Sequence, residues 1–530
     1  MNRRGTTWKG RRAKYPRRVG RASTGLGGRL SGRAVAQERD PPIAGWSVVG
    51  RCFAGRCVAG RCGIITTMLH QYRFVVVIAL LGLAAALATE KGKLPLALRG
   101  LKKTLRRDAG VQPTAGARHA GVPVWKRLLA LVLCVLAFAV AAAGSTWVGD
   151  LPGTFKSGAA VPSLDVTGPR AQFVAGDWTR FAHVFARLER GEAVRIAVIG
   201  GSITQGAGAS GRANQWGSKF TAGWRRAFPS TKIDFVNAGI GATGSAIGAF
   251  RLARDVLAKQ PDAVVVEFSV NDAPGRECAE SYEGVIRQLL KDPRGIAVIQ
   301  LGMVGQAGNN VQAWHGKVAA HYQVPYVSYR DALYYPYVKE GQVKWTDISP
   351  DTIHPNDDGH AYAAALLNWT IERRYAEWKR AGRPLAAVPP LPAPLYGTRY
   401  DKGRFCLMQD AKIVENKGFF PLRDTCWGIG LACTNAQGRL VFEVEGPTVA
   451  LLYRCGNKPY NWGKIAVKID GTPVVDGLDC FRDQWWWYTP ALFLCRDRPG
   501  RHVVEVETKA EKNAKSTGFG CHLTGLLVSE

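Results

Sequence analysis

The sequence predicts an α/β domain with a doubly wound parallel sheet, followed by a smaller all-β sandwich domain. Three observations carry this expectation. Between residues 177 and 380, β-branched runs alternate with helical patterns, the signature of a parallel sheet covered on both faces. A stretch with five prolines, Arg383 to Leu395, then interrupts the chain. Beyond it, short strand-like pieces are separated by Gly, Pro, Asn and Asp turns, as in a sandwich. A length of 530 residues leaves room for two folded units and additional segments.

The front of the chain is compositionally distinct. Residues 1–127 hold 26 Lys and Arg against 4 Asp and Glu, whereas the remainder holds 45 against 37. The formal charge of +30 therefore belongs mainly to the N-terminal segment and says little about the rest. Residues 1–67 are rich in Arg, Gly and Ala, carry the near-repeat RCFAGRCVAGRC, and read as a disordered basic extension. Because Met68 opens a new apolar stretch, an alternative is that translation begins there. No aromatic interleaving or binding module accompanies the arginines, so nucleic acid is not expected as a partner.

Residues 68–150 read as a membrane anchor or signal region, with apolar runs at 74–88 and 128–148. Two readings stand for it. One is a hairpin or single anchor with its basic residues on the cytoplasmic side. The other is a signal peptide, with Lys126 and Arg127 before the apolar core and Ala141-Ala142-Ala143 before Gly144 as the cleavage pattern. Both place the remainder outside the cytoplasm, at the cell surface, in a periplasm or secreted. Residues 151–176, with Gly, Pro and Ser, read as a linker.

In the α/β region, 177–380, strands are expected at Arg195–Ile199, Lys232–Val236, Ala263–Phe268, Ile296–Leu301 and Val324–Val327. Helices are expected at Gln215–Ala227, Ala246–Leu257, Glu280–Leu290, Val311–His321 and Asp358–Trp378. Residues 381–395 form the Pro-rich linker. In the β-domain, 396–530, strands are expected at Arg439–Glu445, Thr448–Tyr453, Lys464–Ile469 and His502–Thr508. This domain carries seven of the twelve cysteines, which fit the disulfide framework of an exported domain or else are buried thiols. It also carries Trp485-Trp486-Trp487-Tyr488, aromatics suited to core packing, a domain contact or stacking on a sugar face.

Four separated loops fall at the carboxyl edge of such a sheet, where open α/β sheets build their sites. They are GGSIT at Gly200–Thr204, NAGIGATGS at Asn237–Ser245, SVND at Ser269–Asp272 and DTIHP at Asp351–Pro355. Their residue types match acyl transfer. A serine hydroxyl becomes a nucleophile when an imidazole removes its proton and a carboxylate orients that imidazole. Ser202, His354 and Asp351 fit those roles. The tetrahedral oxyanion needs fixed donors, which the N–H groups of Ser202 and of the second loop, with the Asn271 side-chain amide, supply.

The four blocks, in this order, resemble the SGNH/GDSL hydrolase family over about Arg180 to Arg374. The resemblance implies a flavodoxin-like three-layer fold, no cofactor, Ser202 as nucleophile and first oxyanion donor, Asn271 as a side-chain donor, and Asp351 and His354 as the remaining triad members. Two departures stand out: Gly201 replaces the family's usual Asp before the serine, and Ala242, preceded by Gly241, falls at the usual oxyanion glycine. His360 reads as a helix-face histidine rather than a second base. No cysteine or histidine cluster has metal-site spacing.

The resulting expectation is an extracytoplasmic serine esterase acting through an acyl-serine intermediate, removing acetyl or other small acyl groups from a polysaccharide. The alternatives are a lipase or thioesterase, a glycan O-acyltransferase, and a non-catalytic glycan-binding protein.

Overall fold

The computed structural model describes residues 147–149, 151–457, 462–483 and 488–530. The basic extension, most of the apolar runs, the Ala141–Ala143 segment and Trp485–Trp487 lie outside the described residues. Among the described residues no helix is long and apolar enough to cross a membrane.

The first domain is a six-stranded sheet with the order β1-β6-β5-β4-β2-β3. Its strands are β1 (Gln172–Val174), β2 (Val194–Gly200), β3 (Ile233–Gly239), β4 (Ala263–Glu267), β5 (Ala297–Gly302) and β6 (Tyr326–Ser328). From β3 to β6 every pairing is parallel, and β1 closes the far edge antiparallel to β6. The helices are α1 (Leu164–Ala171), α2 (Thr179–Glu189), α3 (Ser202–Gln205), α4 (Trp216–Ala227), α5 (Ser245–Asp255), α6 (Arg276–Lys291), α7 (Gln312–His321), α8 (Trp345–Ile348) and α9 (Asp357–Arg380).

Successive side chains of a strand point to opposite faces, and β2 shows the consequence. Ile196 and Val198 join the core that includes Phe185 of α2, Trp224 of α4 and Leu366 of α9, whereas Ala197 and Ile199 join Phe250 of α5 and Ile286 of α6. A strand buried on both faces must be apolar throughout, which is why these strands are continuous runs rather than alternations.

The segment 151–176, expected to be a linker, is part of this domain. It contains α1 and β1, and Thr167 Oγ1 of α1 lies 2.8 Å from the buried Tyr362 hydroxyl of α9. The Pro-rich 381–395 segment has no helix or strand, yet it is fastened down. Pro392 and Ala393 carbonyls accept from Arg287 and His321, and Leu395 N–H donates to Glu283.

The second domain is a sandwich of two antiparallel sheets. One has the order β15-β12-β17-β10-β9, with β7 also on β17, and the other β14-β13-β16-β11-β8. The strands are β7 (Gly403–Cys406), β8 (Lys412–Lys417), β9 (Phe420–Asp424), β10 (Gly428–Cys433), β11 (Arg439–Glu445), β12 (Val449–Tyr453), β13 (Lys464–Ile469), β14 (Thr472–Asp479), β15 (Ala491–Cys495), β16 (Arg501–Thr508) and β17 (Cys521–Ser529). The expected disulfide framework is absent: all eight described cysteines are free thiols. Cys433, Cys455, Cys480 and Cys521 instead fill the sandwich interior among Leu440, Phe442 and Val506, where a thiol serves as a small apolar side chain.

The outer face of the first β-sheet docks on the α/β domain. Trp427, Ala450, Leu452 and Leu527 share one buried cluster with Phe250 of α5 and Tyr282 of α6. Buried Arg287 pairs with Asp401 beside this contact, and Arg399 pairs with both Glu280 and Asp497.

Candidate active site

β2 delivers its last residue, Gly200, into a turn that starts the four-residue helix α3 at Ser202. The turn is closed to a side chain at Gly200, where backbone stands in the way, and is crowded by the Asn271 amide at Gly201. A Cβ on Gly200 would stand 2.2 Å from the Glu267 carbonyl oxygen, and one on Gly201 would stand 2.1 Å from Asn271 Oδ1. The Gly201 departure thus has a steric reason, since Asn271 occupies the space that another side chain would need.

His354 reaches the serine from the loop before α9. Its Nε2 lies 2.9 Å from Ser202 Oγ, and its Nδ1 lies 2.8 Å from Asp351 Oδ2. Asp351 Oδ1 accepts 2.7 Å bonds from the Ile353 and His354 N–H groups, so one carboxylate fixes both the ring and the loop that carries it. Burial works to raise the Asp351 carboxyl, but these bonds and the imidazole outweigh it and hold the group below its ordinary range. The geometry makes Asp351 a fixed anion facing the ring nitrogen opposite the serine.

The donor side is assembled from three loops. Asn237 Oδ1 accepts from Gly239 N–H at 2.8 Å, and its Nδ2 donates to the Thr204 carbonyl at 2.9 Å, tying the second loop to α3. Gln205 Oε1 takes the Gly241 N–H at 3.0 Å. That removes Gly241 from the two backbone candidates and leaves the Ala242 N–H, which, like that of Ser202, has no acceptor among the described residues. Asn271 Oδ1 is buried without a partner against Gly201, so Nδ2 is the amide atom available to the cleft.

Ala242 adopts φ +57°, the left-handed region that costs an L-residue roughly 1–2 kcal/mol. This is where the resemblance calls for glycine, and the chain holds the conformation with alanine.

Beneath the site, Glu267 is fully buried and accepts from Thr204 Oγ1 at 3.0 Å and Ser269 Oγ at 3.3 Å. Burial pushes its carboxyl up to about 7, against those two bonds. His360 is not positioned as a base. Its Nδ1 accepts from Trp216 N–H, its Nε2 faces the Ala207 carbonyl, and burial lowers it to about 4. Asp272, next to Asn271, is bonded to Ser245 N–H and to His315, which stacks on Tyr282 with centroids 3.5 Å apart.

These groups open into a cavity of about 290 Å³. Ile240, Val270 and Ile353 give it apolar walls beside Ser202 and His354. The opposite wall comes from the β-domain, through Cys426, Arg454 and Tyr488. Arg454 is anchored by Asp424, and Tyr488 by paired backbone bonds with Cys455 at 2.8 and 3.0 Å. The sequence placed Tyr488 among the aromatics of interest but gave no signal for Gln205, Cys426 or Arg454. No spacing rule connects Cys426 and Arg454 to Ser202, because they meet only where two domains dock, and Gln205 is marked only by its place on the serine's own helix.

Residues 198–362 match the GDSL-like Lipase/Acylhydrolase family. Among solved structures, a two-domain esterase (CEX) active on acetylated mannans aligns with 68% of this chain and 98% of its own, at 29% identity and a TM-score of 0.63. Its co-crystal with mannopentaose aligns with the same values. An acetyl xylan esterase, AlAXEase, aligns over 33% of this chain and 96% of its own at 23% identity, with a TM-score of 0.28. No curated protein matches the chain. The four sequence blocks, the three-layer sheet and the likeness to the mannan-active esterase converge: residues 198–362 form a GDSL-like lipase/acylhydrolase domain, and the chain is an ester-bond hydrolase with an additional β-domain.

Proposed function

We propose that the protein is a serine esterase that removes acetyl groups from a polysaccharide outside the cytoplasm. The observation that carries this reading is the continuous Ser202–His354–Asp351 chain, at 2.9 and 2.8 Å, opening into a cleft walled by both domains. Ser202 Oγ attacks the ester carbonyl while His354 Nε2 takes its proton, and Asp351 stabilises the imidazolium. The oxyanion that forms faces the N–H groups of Ser202 and Ala242 and Asn271 Nδ2. His354 then returns the proton to the sugar oxygen as the C–O bond breaks, leaving acetyl-Ser202. Water, deprotonated by His354, attacks the acyl carbon, and acetate leaves with Ser202 restored.

Cavity size supports a small acyl group. A space of about 290 Å³, just under the ordinary range for drug-sized ligand sites, accommodates an acetyl group beside Ser202. The mannan-active esterase, similar over both domains, supports acetylated carbohydrate as the substrate class. Arg454 and Tyr488 supply a hydrogen-bonding cation and an aromatic face on the side where a sugar would enter.

The test is release of acetate from an acetylated mannan, an acetylated xylan and a small aryl acetate by wild type and Ser202→Ala. Serine-dependent release from a polysaccharide and from the aryl ester is the expected result. Turnover of the aryl ester alone would overturn the glycan reading, and no serine-dependent turnover would overturn the esterase. The extracytoplasmic location rests on the apolar runs at 74–88 and 128–148. It predicts labelling of the protein by a membrane-impermeant reagent on intact cells, and complete protection would contradict it.

A further inference from the structure

Arg251, on the inner face of α5, is fully buried, although an isolated cation in a protein interior is costly. Its guanidinium is bonded at two places that matter to the site. Nη2 donates to the Gly200 carbonyl at 2.9 Å, and Nη1 donates to the Ala238 carbonyl at 2.6 Å. Gly200 ends β2 and Ala238 is the last residue but one of β3, the strands that lead into Ser202 and into the loop bearing Ala242. The Gly200 oxygen also accepts the Ile240 N–H at 3.1 Å, so strand end, second loop and guanidinium meet at one atom.

The charge is balanced from the same helix. Asp255, one turn on, accepts from Arg251 Nη1 at 3.0 Å. Arg254 in turn grips Asp255, with Nε 2.6 Å from Oδ1 and Nη2 3.1 Å from Oδ2. The Arg254 guanidinium lies 4.0 Å from the ring centre of Phe405 and 5.7 Å from that of Trp427, both in the β-domain. A planar fork suits this task, because it meets two carbonyls and a carboxylate in fixed directions that an ammonium cannot reproduce.

We infer that Arg251 is a positioning residue: by clamping the carbonyls of Gly200 and Ala238 it sets the spacing between the two backbone oxyanion donors, Ser202 N–H and Ala242 N–H. The inference rests on the serine-esterase reading. Donors set for the tetrahedral oxyanion act in the transition state, so their misplacement lowers kcat rather than raising KM.

The test compares wild type, Ser202→Ala, Arg251→Met and Arg251→Lys in the full chain on an aryl acetate. Folding is followed by thermal melting, and an aryl boronic acid serves as a tetrahedral mimic. Arg251→Met is expected to lower kcat about 10- to 100-fold with KM within about twofold. Boronate affinity falls in parallel, and Arg251→Lys is intermediate. A folded Arg251→Met protein with wild-type kcat overturns the inference while leaving the esterase intact. So does failure of both variants to fold, which would make Arg251 a folding residue. Absence of serine-dependent turnover in wild type would instead remove the esterase reading on which the inference stands.

Discussion

Ala242 shows how the site trades backbone comfort for a placed N–H. Its φ of +57° disfavours any side chain, so Ala242→Gly removes strain but also gives the unfolded chain more freedom to lose. The first effect is the larger. The variant should gain about 0.5–1 kcal/mol in denaturant unfolding while keeping its activity, and a loss of stability would show that the left-handed backbone is not strained there. Glu267 makes the converse case, a buried acid under the serine turn. Between its ordinary 4.5 and about 7 the folded chain holds a proton that the unfolded chain releases, so stability falls as pH rises through that window and levels off above it. The span corresponds to on the order of 3 kcal/mol. Glu267→Gln should abolish this part of the pH dependence in unfolding measured from pH 5 to 8. An unchanged slope would assign it to other groups.

At the scale of elements, the docking of the β-domain on α5 concentrates on few side chains. Trp427 is fully buried among residues of both domains and donates from Nε1 to Thr489 Oγ1 at 3.0 Å. Trp427→Ala should cost about 3–5 kcal/mol in thermal or denaturant unfolding, and a cost under about 1 kcal/mol would mean that the interface closes over the loss. The same elements show what a sequence discloses. Strands β2, β4, β5 and β6 were legible because strands buried on both faces must be continuous apolar runs, and helices α4 to α6 because a covering helix carries one apolar stripe. β13 was legible through clean alternation. By contrast, α1 includes Gly168 and Pro169, β1 has three residues, and β8 is exposed along its whole length, so none carries a periodic pattern. The cysteine count fits a disulfide framework and buried thiols equally well, and packing is what places Cys433, Cys455, Cys480 and Cys521 in the sandwich core.

Across the whole molecule, the triad candidates were readable because each lies in a short block with its own local chemistry, and the sheet's topology requires those blocks to meet. The far wall was not readable, since Arg454 stands more than 250 residues from Ser202 and reaches the cavity only through domain docking. This division predicts a separable effect. Tyr488→Ala should lower kcat/KM on acetylated polysaccharide about tenfold or more while changing kcat/KM on an aryl acetate less than threefold, because the smaller ester does not reach that wall. Equal losses on both substrates would place Tyr488 in support of the fold instead. The proposed chemistry depends on one nucleophile, Ser202, in a site assembled from distant loops. The most direct measurement is therefore labelling of the full chain with an aryl fluorophosphonate, followed by peptide mapping and residual esterase activity. The Ser202–His354 geometry predicts one adduct per chain, on Ser202, with activity lost in proportion. An adduct on another residue, or esterase activity that survives complete labelling of Ser202, would contradict it.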